Sequence, residues 1–341
     1  MPEAKFSKLE LFQWFPTKLA KFVNLHSSPE YMESMFGEQF AYGQREILLK
    51  YCGLDFSTQL LGNLQHGVFG NNQAIDFRTP RYSSGRKSAF WVYSKESEIL
   101  GRSLGYDKVT AIGAPWLYLR DSVDENLERA FERKGILVMP AHTTSTIFSL
   151  STKSEKRERA VAFRQIIGTK EATVCLHATD YCDPETTQSF IEEGFTVTCI
   201  GNSSLVPRWS QAGNRVRSLF TLMRLMESHE SLMTDDFGTH LFYAIDMGMR
   251  VGIFPELRNK LQLGNISTGI LGYNDAAQVM HDLAFIKSSM PDAINNFTDS
   301  TKFLGLANEK LGRDAVLGPL ELLDVLVYRR NVLPIGTVQP W

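Results

Sequence analysis

Apolar residues in this chain gather into two kinds of run. Short blocks end in glycine, proline or small polar residues, as buried strands do: Leu60–Leu64, Ser88–Tyr93, Lys108–Pro115, Ile136–Pro140, Ala172–His177, Phe195–Ile200, the run closing at Met233, and Arg250–Pro255. Between them apolar positions recur at helical spacing. This predicts helices over 39–54, from Ser94 to Gly105, over 124–134, 155–167, 184–193 and 213–228, and after Thr239; beyond residue 256 helices are expected at 275–288, 299–311 and 316–330. Strands alternating with helices at this cadence imply βαβ units and parallel sheets. The predicted fold class is therefore α/β, with two Rossmann-like domains facing a cleft and C-terminal helices. Boundaries are placed at 1–122, 123–270 and 271–341, the last segment being free to pack back across the junction. About five parallel strands are expected in the second domain, as in a doubly wound sheet.

Composition narrows the classes. A length of 341 residues exceeds what one core usually serves, and a net charge of −2 supplies no global basic field, which argues against non-sequence-specific nucleic-acid binding as the main role, so no nucleic-acid partner is expected. The four cysteines lack CxxC spacing and three lie in or beside apolar runs, which fits a reducing, cytoplasmic setting without structural zinc. No run approaches the ~20 apolar residues of a membrane span, and no signal segment is read at the start. Residues 1–24 mix Lys with Phe, Leu and Trp. Their aromatics are expected to pack on the protein body, with peripheral contact at the inner face of a membrane as the alternative.

Candidate chemistry clusters where strands end. Met233-Thr-Asp-Asp-Phe-Gly-Thr-His240 reads as a strand tip, a turn and a helix start, where unpaired first-turn N–H groups and the helix dipole can seat a phosphate. Further polar tips hold Gln65, His66 and Gly67; His142, Thr143, Thr144 and Ser145; His177, Asp180 and Asp183; and Asn202, Ser203 and Ser204. Taken singly, each suits a turn or cap as well as a ligand. GxGxxG, GxxxxGK[ST] and GxSxG are absent, which disfavours nicotinamide, P-loop and α/β-hydrolase chemistry. Asp180 with Asp183, or Asp235 with Asp236, could hold a divalent cation, although acidic pairs at such turns more often cap helices, and no cofactor is expected to be required.

The Gln-His-Gly turn of the first half, the Gly-Asn-Ser-Ser turn of the second and Thr234-Asp-Asp-Phe-Gly-Thr-His-Leu-Phe-Tyr-Ala-Ile-Asp-Met-Gly-Met-Arg-Val251 together resemble bacterial glycosyltransferases of the GT-B fold. The nearest likeness is to polysaccharide-assembly enzymes that use CMP-activated acidic sugars, such as the Kdo and nonulosonate transferases of capsule and O-antigen synthesis. The resemblance spans about 40–255. It implies a nucleotide-sugar donor on the C-terminal half and a glycan or lipid-linked glycan acceptor on the N-terminal half. Gly238, Thr239 and His240 would take the phosphate, with Ser203, Ser204, His142 and Thr143 near the nucleotide and Gln65 and Gly67 on the acceptor side. His66, Asp180 or Asp183 would serve as base. The chain departs from the family where Asp235-Asp236 replace a neutral Ser or Asn, and it lacks the His-Pro pair that many CMP-sugar transferases use. A sugar-nucleotide epimerase, a polyol-phosphate transferase and a non-catalytic anion-binding protein are the alternatives.

Overall fold

The computed structural model describes residues 42–56, 58, 60, 62–65, 67–68, 89–123, 132–141, 152–200, 208–257 and 272–327. The chain forms two compact units. One takes Met1–His66, Gln73–Leu127 and Asn308–Trp341, the other Gly67–Asn72 and Glu128–Ala307.

The first unit contains α1 (Gln44–Tyr51), β1 (Gly62–Leu64), β2 (Ala89–Val92), α2 (Lys95–Ser103), β3 (Val109–Ala111) and α3 (Pro115–Ser122). Among the described residues, three of its strands form a parallel sheet in the order β1-β2-β3, with Leu64 opposite Trp91 and Val92 opposite Ala111. Ser94 caps α2 by accepting the Ser97 N–H at 3.2 Å, as the sequence suggests. Pro115 does not close β3. It sits at the start of α3, where its fixed φ suits a first helical turn. That helix escapes a periodicity search because Trp116, Leu117, Tyr118 and Leu119 are all buried, leaving no polar stripe.

The second unit contains β4 (Ile136–Val138), α4 (Lys153–Ile167), β5 (Ala172–His177), the single turn α5 (Ala178–Tyr181), α6 (Pro184–Glu192), β6 (Thr196–Ile200), α7 (Arg208–Ser228), β7 (Ser231–Thr234), α8 (Thr239–Asp246), β8 (Arg250–Ile253) and α9 (Gly272–Ser289). Among the described residues its sheet has five strands, all parallel, in the order β6-β5-β4-β7-β8. The α/β class and the five-stranded parallel sheet thus match the sequence expectation. The chain steps outward from β4 to β6, then returns to the other flank of β4 with β7. The β4–β7 junction is therefore the topological switch, where open α/β sheets bind ligands beyond their strand ends. Phe163 of α4, Phe190 of α6 and Phe195 pack in a row, tilted and then edge to face, with ring centroids 6.2 and 5.7 Å apart, in a core that includes Ile136, Val174 and Met233. At the β8 edge, Val251 and Thr298 bridge and the Asn295 N–H donates to the Ile253 carbonyl at 2.8 Å, which occupies backbone groups an edge strand would otherwise expose.

Residues past 256 do not form a third body. Up to Ala307 they belong to the second unit, and from Asn308, within α10 (Leu304–Leu311), to the first, which also holds α11 (Pro319–Val327). In the first unit the Ala114 N–H donates to the Leu311 carbonyl at 2.8 Å, and buried Lys310 pairs with Glu96 at 2.9 Å. Gly312, at φ 70°, lies so close to the Tyr93 carbonyl that a side chain has no room. The helix expected over 124–134 lies outside the described residues through 131, and 132–134 are not helical.

Candidate functional site

β7 delivers the chain to the switch point, and the turn that follows organises itself around Thr234. This residue is fully buried, and its hydroxyl accepts the Asp236 N–H at 3.1 Å while His240 Nε2 lies 3.1 Å away. Gly238 is the N-cap of α8, in extended backbone (φ −164°) that any residue adopts; the imidazole of His240 folds over it instead, 2.8 Å at Nδ1 from where a Cβ would stand. Among the described residues no side chain caps this helix, and no acidic residue lies in its first turn. The dipole's positive end therefore meets no carboxylate within the helix's first turn.

Of the two aspartates that precede α8, Asp235 serves neither as a cap nor as a cation ligand. Asp235 points inward. Its Oδ1 accepts the Ala141 N–H at 2.7 Å, just past β4, and its Oδ2 accepts Arg159 Nε at 3.2 Å and Nη2 at 2.7 Å. Arg159 Nη2 also donates to the Ala141 carbonyl at 2.8 Å. The pair is sealed from solvent, with 2% of the Arg159 side chain and none of Asp235 exposed. Such burial is tolerated because the two charges are paired and hydrogen-bonded to each other and to the Ala141 backbone. Asp235 is thereby neutralised, and the tips of β4 and β7 are tied across the switch.

Sequence reasoning passed over Arg159, which sits in the charged run Lys153-Ser-Glu-Lys-Arg-Glu-Arg159. A signal was present in the spacing. Residues 159, 163 and 167 share one helical face, and all three are buried.

A second connection reaches the start of α8. Within the same unit, the Val68 N–H donates to Thr239 Oγ1 at 2.8 Å, and a Cβ on Gly67 would stand 2.5 Å from that oxygen. Gly67 and Thr239, chosen separately from two distant turns, are thus brought together. Gln65 is buried, and its Oε1 accepts the Tyr93 N–H at 2.9 Å.

The candidate carboxylate bases are also committed. Asp183 caps α6, accepting from Thr186, and pairs with Lys156 at 2.8 Å. Partial burial pushes its carboxyl up, but the Lys156 and Thr186 hydrogen bonds outweigh this and hold it below the usual carboxylate range, the wrong direction for a general base. Asp180 is only 4% exposed and is engaged within the protein. His66, His142, Thr143, Ser203, Ser204 and residues 1–24 lie outside the described residues. Burial pushes the Cys52 and Cys175 thiols up to about 12, so neither is a ready nucleophile. Among the described residues no cluster of three His, Cys, Asp or Glu could hold a metal, and no helix is long and apolar enough to cross a membrane.

No protein-family model matches this chain. No curated protein matches either. Among solved structures, the chain is similar to a UDP-GlcNAc 2-epimerase from Neisseria meningitidis bound to UDP-GlcNAc, at 12% identity and a TM-score of 0.33, over 78% of this chain and 68% of that one.

Proposed function

We propose that this chain is a glycosyltransferase that takes a sugar from a nucleotide donor, with a CMP-activated acidic sugar favoured, and passes it to a hydroxyl of a glycan acceptor in bacterial surface-polysaccharide synthesis. One observation carries the reading: the start of α8 at the β4–β7 switch carries no acidic cap, and Asp235, the nearer-to-strand of the two preceding carboxylates, is internally neutralised by Arg159. That arrangement suits the diphosphate or phosphate of a leaving nucleotide, which gains from N–H donors and from the cancelling of a nearby carboxylate charge. In the proposed reaction the acceptor oxygen bonds to the anomeric carbon as the bond from that carbon to the donor phosphate oxygen breaks. The electron pair leaves with the phosphate, towards the N–H groups and side chains of Gly238, Thr239 and His240. The acceptor proton passes to a base. His66 is the proposed one, since Asp183 is spent on a cap and Asp180 is buried.

A thermal-shift series with CMP, CDP, UDP and GDP tests the reading. At least one is expected to raise the melting temperature, and no stabilisation by any of the four would sink it. Transfer is separated from epimerisation by the acceptor: an epimerase turns over its sugar nucleotide alone, whereas the transferase releases nucleotide only slowly until acceptor is added. His66→Ala is expected to abolish transfer while leaving nucleotide binding within about threefold; full activity in that variant would remove His66 as the base.

A further inference from the structure

Asp235 stands three residues before Gly238, so no more than about 11 Å of chain separates it from the start of α8. A bare carboxylate at that distance, inside the protein where salt screens little, would oppose any anion seated beyond β4 and β7. Arg159 removes that opposition with two N–H bonds to one Asp235 oxygen, while a further bond to the Ala141 carbonyl helps fix where the guanidinium sits. The charge is delivered from α4, a separate element, and is almost wholly buried, so it is not itself offered to a ligand.

We infer that Arg159 is a positioning residue for anion binding at the β4–β7 switch, acting through Asp235 by cancelling its charge rather than by touching the ligand. The inference rests on the reading of the α8 start as the phosphate seat. It distinguishes two roles that a static salt bridge leaves mixed. If the pair only braces the fold, breaking it from either side does the same harm. If charge cancellation is the function, the two sides are opposites. Arg159→Met leaves a buried carboxylate facing the anion, whereas Asp235→Asn leaves a buried guanidinium that attracts it. The double variant Arg159→Met with Asp235→Asn removes both charges of the pair and leaves its net charge at zero, as in the wild type.

The test is calorimetric titration of inorganic pyrophosphate, and separately of the best nucleotide from the thermal-shift series, into the full-length protein and each variant at low and moderate salt. Wild type is expected to bind pyrophosphate. Arg159→Met should bind it about tenfold or more weakly, with the deficit shrinking as salt rises, while Asp235→Asn binds at least as tightly as wild type and the double variant lies within about threefold of it. Equal loss in both single variants, or a double variant as weak as Arg159→Met, would overturn the inference and leave the proposed function standing. Wild type that binds pyrophosphate and no nucleotide would overturn the proposed function, and the variants would still decide the role of Arg159 on pyrophosphate alone. Wild type that binds neither overturns both. Should Arg159→Met fail to fold, the double variant and Asp235→Asn carry the decision, because tight pyrophosphate binding in both supports charge cancellation and loss in both contradicts it.

Discussion

Thr239 shows how much one hydroxyl can be asked to do. Its Oγ1 accepts the Val68 N–H, so Thr239→Val, which keeps the shape and deletes the acceptor, leaves a partly buried N–H unpaired. A cost of roughly 1–3 kcal/mol in unfolding free energy is expected from denaturant titration. Gly67→Ala acts on the same contact from the other side, since its methyl would stand 2.5 Å from Thr239 Oγ1 and force the turn away. The two variants should therefore weaken nucleotide binding together, and a double variant should lose less than the sum of the two, because both break one interaction. The sequence made the Gly-Thr-His start of α8 legible, since turn chemistry and helical spacing are local. The inward turn of Asp235 was not. Its partner lies 76 residues earlier in the chain, and no local pattern reports a contact between α4 and the β7 turn.

The elements follow the sequence closely where one face is apolar and a cap is written in. The helix expected over 155–167 forms as Lys153–Ile167 and begins in a full capping box, with Thr152 and Glu155 satisfying each other's backbone N–H. α3 was missed for the opposite reason, being buried on nearly every side. Asp183 gives an element-scale prediction with a pH signature. Its folded pKa is lowered relative to the ordinary 3.8, so its ionised form stabilises the protein above that value, and the contribution is lost as pH falls through the folded pKa. Asp183→Ala should cost about 1 kcal/mol at neutral pH through loss of the α6 cap. The gap between variant and wild type should narrow below about pH 4, as followed by thermal unfolding across a pH series. A gap that is constant from pH 7 down to pH 3 would show that the ionised carboxylate contributes nothing.

At the scale of the whole molecule, alternation of strands and helices was enough to read two α/β units and a five-stranded parallel sheet, because βαβ connection rules leave few other solutions. The return of the C-terminal chain to the first unit was harder to place. It depends on single close approaches, such as Gly312 against the Tyr93 carbonyl, which carry no periodic signal. Gly312→Ala, which demands a side chain at φ 70° where backbone already stands, should destabilise the first unit by at least about 1 kcal/mol. Calorimetry would register this in the transition that contains α2 and β3. The proposed function draws on the second unit's switch point and the start of α8. Its most direct test is to follow the backbone amide signals of the full-length protein by NMR while a stabilising nucleotide is titrated in. The account predicts that the largest shifts fall on Gly238, Thr239 and His240, with Ala141 close behind; saturable binding that leaves these four amides unmoved would contradict it.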